Sequence, residues 1–272
     1  MKGLHKTYAL FGNPVRHSLS PVMHKAVFRK CNMDASYIAI SVKEPIDIIR
    51  KIKELNLQGC SITIPHKTTV MEYLDGVTTS AKEIGAVNTI MCSQKGLIGD
   101  NTDWIGIVHA LRESTEIGGK SFVILGAGGT ARAALFGILK EGGIPVVLNR
   151  TAKRGEALAR EFGCEFHPLE DISKISAYCL INTTPVGMAG YGTESPVKRK
   201  GLENFSVVMD VIYTPLKTKL LKDAEEAGCV TVSGLSMFVR QGAEQIRRWT
   251  GIDPPIEFMK NIVMKTLNDA RN

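Results

Sequence analysis

The sequence predicts an α/β fold in two domains. Segments of strand character alternate with helical segments almost throughout the chain, and such alternation is typical of α/β proteins with largely parallel sheets. The alternation occurs in two series, one before and one after residue 104, and 272 residues are enough for two ordinary domains. The chain is 44% hydrophobic and 22% charged, a balance that allows a buried core.

The first series runs to residue 100. Ser61 to Ile64 alternates polar and apolar residues like a half-buried strand, and this pattern stops at Pro65. The predicted strands are YALFG (8–12), SYIAISV (36–42), SITIP (61–65), NTIMC (88–92) and GLIGD (96–100). The predicted helices are one from Pro21, the amphipathic EPIDIIRKIKELN (44–56), and a stretch ending at about Gly85.

The second series has enough strands for a complete nucleotide-binding sheet. The predicted strands are SFVILG (121–126), PVVLNR (145–150), AYCLINT (177–183), FSVVMDVIY (205–213) and CVTVSG (229–234), and the helices are TARAALFGILKEG and AKRGEALAREFG. Two tail helices follow, one ending at Gly251 and one starting behind Pro254 and Pro255. We expect the tail, residues 236–272, to complete a first domain at 1–104, with 105–235 forming the second domain.

A glycine-rich loop lies between a strand and a helix of the second series. Its glycines permit a tight turn and a close backbone approach, and the helix N-terminus presents N–H groups to a pyrophosphate. An ordinary βα turn also contains glycine, but the strand–turn–helix context favours a dinucleotide. Alanine at the last position is a tolerated variant of the usual pattern. The loop residues are Gly126, Ala127, Gly128, Gly129, Thr130 and Ala131.

The end of the next strand indicates which dinucleotide binds. An NAD site places Asp or Glu about 20 residues past the glycines, to bond the ribose 2′-hydroxyl. Here the strand ends in Asn149-Arg150-Thr151, with Arg154 one turn later and no acid at the strand end. A guanidinium holds a 2′-phosphate through paired hydrogen bonds. These arginines could simply be solvated, but in a dinucleotide-binding fold they favour NADP(H) over NAD.

Polar residues recur at the boundaries of the predicted elements. Each has an ordinary explanation: an N-cap for Ser20, a turn amide for Asn88, a cap for Thr102 or Asp103, and a surface position for Gln241. Together they supply hydroxyls, amides and a carboxylate, a set that suits a small polyhydroxylated acid. Lys67, just beyond Pro65, reads alone as a solvated loop charge, because most lysines are exposed.

The chain resembles the shikimate dehydrogenase family. The motifs that carry the resemblance occur in order over nearly the whole chain: SLSP, TIPHK, GAVNT, NTD, GAGGTA, NRT, NTTPVGM, DVIYTP and SGLSMFVRQGA. The resemblance implies a substrate-binding α/β domain and a Rossmann, doubly wound, NADP domain. It also implies the reversible reduction of 3-dehydroshikimate to shikimate, in the aromatic amino-acid (chorismate) pathway.

The resemblance also implies roles for individual residues. Lys67 and Asp103 would be the catalytic pair and would also contact substrate. The other substrate-binding residues would be Ser18, Ser20, Thr63, Asn88, Tyr213 and Gln241. The cofactor would contact the glycine loop, from Gly126 to Ala131, and also Asn149, Arg150, Thr151, Arg154, Val211 and Gly234.

The motifs depart from the family pattern in three places. Trp104 stands where many members have glycine, Ser61 replaces a common asparagine, and GMAGYGTESP lacks a common proline. Two alternatives remain open at this point. One is a relative that oxidises quinate, or both acids, with NAD; the other is a non-catalytic sensor of shikimate or nucleotide. The presence of both Lys67 and Asp103 argues against a sensor.

Composition excludes several other classes. No apolar run approaches the roughly 20 residues that span a bilayer, and the N-terminus does not resemble a signal peptide. Six scattered cysteines without a C-x-x-C pair argue against a zinc site or a disulfide scaffold, and fit the cytoplasm. The net charge of +7 is interspersed with acids, so we expect small anionic ligands and not nucleic acid. Monomer and homodimer are both compatible with the sequence.

Overall fold

The computed structural model describes residues 5–269, which divide into two compact units. The first unit comprises the chain up to Thr102 together with the chain from Gln241, and the second comprises Asp103–Arg240. The divisions therefore fall just before Asp103 and just after Arg240, whereas the sequence placed them after residue 104 and before residue 236. Each unit has its own sheet.

Most of the predicted segments form regular elements. Among the described residues the helices are α1 (Ser20–Lys30), α2 (Pro45–Glu54), α3 (Thr79–Ile84), α4 (Asp103–Arg112), α5 (Gly129–Lys140), α6 (Ala152–Phe162), α7 (Lys219–Glu226), α8 (Gly234–Thr250) and α9 (Ile256–Asp269). The strands are β1 (Lys6–Gly12), β2 (Ala35–Ser41), β3 (Gly59–Ile62), β4 (Gly76–Val77), β5 (Thr89–Ser93), β6 (Gly96–Asp100), β7 (Ser121–Leu125), β8 (Ile144–Asn149), β9 (Glu165–Pro168), β10 (Cys179–Asn182), β11 (Val207–Asp210) and β12 (Val230–Val232).

The prediction of one helical stretch up to Gly85 is wrong. That stretch contains a 3₁₀ turn at Thr69–Tyr73, then strand β4, and only then helix α3. Strand β4 forms because β6 offers a free edge: Gly76 pairs with Ile98, and the Leu97 N–H donates to the Asp75 carboxylate at 2.7 Å. Strand β9 was also not predicted. Both are short edge strands without an apolar pattern of their own, so their neighbours decide their structure.

The sheet of the first unit has the strand order β2-β1-β3-β5-β6-β4 in its described part. Strands β1, β2 and β3 are parallel, whereas β5 runs antiparallel to both β3 and β6. In this register Thr89 lies between Ser61 on one side and Asp100 on the other. Two candidate substrate residues lie at the ends of these strands, because Thr63 follows β3 and Asn88 precedes β5.

An aromatic cluster packs α1 and α8 against this sheet. His24 stacks on Tyr37 with ring centroids 4.2 Å apart, and Trp249 stacks on Tyr8 at 5.1 Å. A Cβ on Gly59 would lie 2.4 Å from the Trp249 ring, so only glycine leaves room for the indole. Burial of these large rings is a major source of stability for this unit.

The sheet of the second unit is parallel throughout, in the order β12-β11-β10-β7-β8-β9. Counted from β7, this is the doubly wound order in which the first strand is central and the chain crosses over once. The predicted fold class is confirmed. The order places the β7–α5 loop, which carries the glycines, beside the end of β8. In such sheets ligands bind at the carboxyl ends of the strands next to this crossover.

Candidate active-site residues and family

The loop that carries Lys67 is fixed by its main chain. The Thr63 N–H donates to the Phe11 carbonyl at 2.8 Å, and the Val87 N–H donates to the Lys67 carbonyl at 2.7 Å. The buried His66 ring bonds through Nε2 to the Val42 carbonyl at 2.9 Å. Lys67 itself is half-buried. Hydrogen bonds therefore fix the backbone around Lys67, beyond the end of β3. A lysine in a solvated loop would not require a backbone fixed in this way.

Asn88 is the centre of a buried set of hydrogen bonds. Its Oδ1 accepts from the Thr102 N–H at 2.7 Å and from the Thr89 hydroxyl at 2.7 Å. Its Nδ2 donates to Thr102 Oγ1 at 3.0 Å and reaches Gln241 Oε1 at 3.5 Å. The structure thus brings together two predicted substrate residues, Asn88 and Gln241, with Thr102 between the end of β6 and Asp103. The bonds also hold the backbone at Thr102, directly before Asp103.

Ser18 and Ser20 lie at the start of α1 with their hydroxyl oxygens 3.2 Å apart. The Ser20 N–H donates to Ser18 Oγ, also at 3.2 Å. Ser20 is the first residue of α1 and Leu19 is the N-cap, so capping does not explain Ser20. Thr63, directly after β3, is half-buried. These three hydroxyls are of the kind that bind a carboxylate.

Asp100 is a buried carboxylate that the sequence analysis did not single out. It accepts hydrogen bonds from Thr78 Oγ1 at 2.7 Å, from the Asn101 N–H at 2.8 Å and from Arg248 Nε. Burial alone would raise the pKa of Asp100, but these hydrogen bonds and the Arg248 charge lower it overall. Asp100 is therefore an ionised anchor for the strand end that leads to Asn101 and Thr102.

In the second unit, Asp103 is buried and is the first residue of α4. The next residue, Trp104, contacts the Phe136 ring edge-on, with centroids 5.3 Å apart, and the Lys140 ammonium lies 5.3 Å from its indole. A Cβ on Gly137 would lie 3.0 Å from Val108, so glycine lets α4 and α5 approach closely. The large side chain of Trp104 is accommodated by packing on α5.

The glycine loop has the geometry of a phosphate cradle. Gly126 has a φ of +115°, and a Cβ there would lie 2.8 Å from Thr183 Oγ1. A Cβ on Gly128, the N-cap of α5, would meet no atom within 4 Å. The loop is therefore open at the N-terminus of a twelve-residue helix, where N–H groups bind anions.

The end of β8 carries exposed cations. Asn149 Nδ2 donates to the Thr151 carbonyl at 2.9 Å, which shapes the turn into α6. Arg150 and Arg154 are exposed, and neither makes an ion pair or a side-chain hydrogen bond with another residue of the described chain. Arg132, by contrast, is paired with both carboxylate oxygens of Glu161 at 2.7 Å. Two exposed guanidinium groups thus lie just beyond β8, where the sequence predicts contacts with a 2′-phosphate.

The remaining predicted residues follow β11. Tyr213 stacks on Phe238, with ring centroids 4.0 Å apart. A Cβ on Gly234 would lie 2.2 Å from the Val211 carbonyl oxygen, so glycine is required where α8 begins. Asp210, at the end of β11, is buried and accepts from Thr218 and Asn182. Burial raises its pKa to about 6, although these bonds oppose the shift.

Comparison with known proteins decides the family. Residues 10–90 match the shikimate dehydrogenase substrate binding domain, and residues 234–264 match the shikimate 5′-dehydrogenase C-terminal domain. The chain is 43% identical to the NADP⁺ shikimate dehydrogenase of Pyrococcus abyssi, over 96% of this chain and 98% of the relative. The chain belongs to the shikimate dehydrogenase family.

Solved structures of relatives agree with this assignment. A crystal structure of a shikimate dehydrogenase in complex with NADP⁺ has a TM-score of 0.88 and 41% identity, and covers 96% of both chains. The enzyme from Thermus thermophilus, in complex with NADP(H) and shikimate, has a TM-score of 0.86 and 34% identity, over 96% of this chain and 100% of that one. The family predicted from the motifs is confirmed.

Other sequence expectations concern membranes and metals. In the part of the chain that the structure describes, no helix is both long enough and apolar enough to cross a bilayer. The same residues contain no group of three or more His, Cys, Asp or Glu side chains arranged to hold a metal.

Sequence reasoning missed several residues of the site. The glutamine Gln245, four residues after Gln241 in α8, carried a usable signal, because that spacing places both on one helix face.

Proposed function

We propose that this protein catalyses the NADP-dependent, reversible reduction of 3-dehydroshikimate to shikimate. It is an oxidoreductase of the shikimate dehydrogenase family, whose relatives named above use NADP⁺. The observation that carries the proposal is the joint presence of a main-chain-fixed Lys67, a bonded Asn88–Thr102–Gln241 group and two unpaired arginines beside a glycine loop. We assign most substrate-binding residues to the first unit, with Asp103 and Tyr213 from the second, and NADP binding to the second unit.

The residues of the second unit fit NADP. The open Gly128 and the α5 N-terminus suit the pyrophosphate, and Arg150 and Arg154 suit the 2′-phosphate. NADPH, when bound, supplies the hydride for the carbonyl carbon. The full set we assign to the cofactor is Gly126, Ala127, Gly128, Gly129, Thr130, Ala131, Asn149, Arg150, Thr151, Arg154, Val211 and Gly234.

The chemical task of the protein side chains is to move one proton. Reduction of a ketone places negative charge on its oxygen, and a positioned acid lowers the barrier by protonating that oxygen. We assign this proton transfer to Lys67 and Asp103. We assign binding of the substrate's carboxylate and hydroxyls to Ser18, Ser20, Thr63, Asn88, Tyr213 and Gln241. In the oxidative direction the same pair accepts the proton that shikimate loses.

The setting of the reaction also belongs to the proposal. The six cysteines are all free, which suits a reducing cytoplasm. We propose that the protein is a monomer or a homodimer and that it does not bind nucleic acid.

The test is a spectrophotometric assay of NADPH formation with shikimate as substrate. Quinate in place of shikimate, and NAD in place of NADP, serve as matched controls. We expect shikimate with NADP to give the highest kcat/KM of the four combinations. Higher kcat/KM with quinate or with NAD would favour the alternative, a quinate/shikimate dehydrogenase that uses NAD. Binding of shikimate without any turnover would contradict enzymatic activity and favour a sensor.

A further inference from the structure

Gln245 is a buried glutamine that the proposed mechanism does not use. It lies on α8 and is 2% exposed. Its Oε1 accepts from Ser61 Oγ at 2.6 Å. Its Nε2 donates to the Asn88 carbonyl and to Thr89 Oγ1, each at 3.1 Å. One side chain therefore bonds both β3 and the start of β5, at the register pair Ser61–Thr89.

The direction of each hydrogen bond around Gln245 follows from counting protons. Ser61 donates its single hydroxyl proton to Gln245, so the hydroxyl of Tyr37, 2.6 Å away, must donate to Ser61. Thr89 accepts from Gln245 Nε2 and donates its own proton to Asn88 Oδ1 at 2.7 Å. The chain of donors thus runs from Tyr37 to Gln245, and from Gln245 to Asn88.

This series of hydrogen bonds determines how the Asn88 amide is oriented. Its Oδ1 is held by Thr89 on one side and by the Thr102 N–H on the other. Its Nδ2 then faces Gln241 Oε1 at 3.5 Å, and Thr102 Oγ1 lies within reach of both amide atoms, 3.0 Å from Nδ2 and 3.2 Å from Oδ1. The Asn88 amide can be rotated only by breaking these bonds. Gln245 therefore acts on a predicted substrate residue without belonging to the predicted substrate set.

We propose that Gln245 is a positioning residue for substrate binding, because it orients the Asn88 amide and holds Thr102 ahead of Asp103. The inference rests on the proposed function. Loss of the Gln245 amide leaves the Ser61 hydroxyl proton and Thr89 Oγ1 without these partners in a buried site, where unpaired polar groups are costly, whereas the Asn88 main-chain carbonyl keeps the Ile62 N–H at 2.7 Å. Relief of that cost by rotation of Asn88 would weaken shikimate binding and leave NADP binding unchanged.

The experiment compares Gln245→Met with wild type. Methionine is similar in volume and removes both functions of the amide. Ser61→Ala is the second variant, because it removes only the hydroxyl that donates to Gln245 Oε1. Ile48→Val is the control, because it trims the apolar core of the same unit and lowers Tm without touching a polar group. KM for shikimate and for NADP, and the Kd of shikimate by calorimetry, are measured on all four proteins.

We expect Gln245→Met to raise the KM and the Kd of shikimate about tenfold, with the KM of NADP within about twofold of wild type. Ser61→Ala should show the same pattern with a smaller change, and Ile48→Val should lower Tm with both KM values unchanged. If the wild type is active and neither Gln245→Met nor Ser61→Ala changes the KM or the Kd of shikimate, the positioning role is overturned. The proposed function is then left intact. A wild type that does not oxidise shikimate would overturn both.

Discussion

The candidate ligand-binding side chains of the two units differ in their exposure and in their hydrogen bonding. In the first unit, Asn88, Thr102 and Asp100 are buried and bonded to other protein groups. In the second unit, Arg150 and Arg154 are exposed and have no side-chain partner in the described chain. The first arrangement is formed by the protein alone, whereas we expect a ligand to complete the second.

This difference matches the chemistry proposed for each unit. A small polyhydroxylated acid must be held in one orientation for proton transfer, and preorganised hydrogen bonds reduce the entropic cost of holding it. A 2′-phosphate carries about two negative charges, so exposed guanidinium groups can bind it from solution. We therefore expect changes in the first unit to affect turnover or substrate affinity, and changes at Arg150 to affect cofactor choice.

The largest effect is expected at Lys67. Lys67→Ala should lower kcat by about 10²–10⁴-fold, because a general acid acts mainly in the transition state. The Kd of shikimate should change much less. Asp103→Ala should also impair kcat, and the double variant should be far from additive, because we propose that both side chains serve the same proton transfer. Lys82→Ala, at an exposed lysine of α3, is the control, and a kcat for Lys67→Ala within a few-fold of it would remove Lys67 from the chemistry.

The second effect concerns cofactor choice. Arg150→Ala should raise the KM of NADP by about 10- to 100-fold and that of NAD little, because it removes a charged hydrogen bond to the 2′-phosphate. High salt should weaken the wild-type preference for NADP. Arg160→Ala, at an exposed arginine in the last turn of α6, controls for net charge. Equal loss of both cofactors in Arg150→Ala would show that Arg150 does not bind the phosphate.

The third effect is an opposite pH dependence of stability in the two units. Burial lowers the pKa of His24 to about 4, so the unfolded chain binds this proton more readily, and the first unit should lose about 2 kcal/mol between pH 7 and pH 5. The pKa of Asp210 is raised to about 6, so the folded chain binds this proton more readily, and the second unit should gain about 1 kcal/mol over the same range. Asp100, with its lowered pKa, loses its contribution only at more acid pH.

Hydrogen exchange resolved by segment measures this difference, because it reports local unfolding. Protection of amides in β1–β3 should fall relative to that in β7–β11 as the pH is lowered from 7 to 5, after correction for intrinsic exchange. Asp210→Asn should abolish the gain in the second unit only. A parallel change in both units would contradict the assignment of these groups.

The sequence predicted much of the fold because alternation and turn residues mark long elements well. The glycine loop between β7 and α5 and the prolines in the first turns of α1 and α2 are local signals that no tertiary contact overrides. Strands β4 and β9 were missed because their residues carry no pattern. Their pairing comes from the edges of β6 and β8.

Individual residues of the candidate site were predictable from the sequence, but the hydrogen bonds between them were not. The motifs predicted Lys67, Asn88 and Asp103 as site residues, but a motif does not indicate which groups form hydrogen bonds with these side chains. Gln245 lies 157 residues from Asn88 in sequence, so their hydrogen bond follows only from the packing of α8 on the sheet. Asp100 and Arg248 pair over a similarly long separation.

The smallest effect is expected from two tyrosines of the first unit. The Tyr37 hydroxyl bonds to Ser61, whereas the buried Tyr8 hydroxyl has no hydrogen-bond partner in the described chain. Tyr37→Phe should cost about 1 kcal/mol of unfolding free energy, and Tyr8→Phe should be neutral or slightly stabilising. Urea unfolding of both variants measures the difference. A larger loss from Tyr8→Phe would mean that the polar network extends beyond the bonds described.

The most direct test of the contrast between the units is a pair of crystal structures, one without ligands and one with shikimate and NADP. We expect the side chains of Asn88, Thr102 and Gln245 to keep the same rotamers and hydrogen bonds in both crystals. Arg150 and Arg154 should change from solvent-exposed rotamers to direct contacts with the 2′-phosphate. An Asn88 amide that reorients on binding shikimate, or arginines that do not contact the phosphate, would contradict the account.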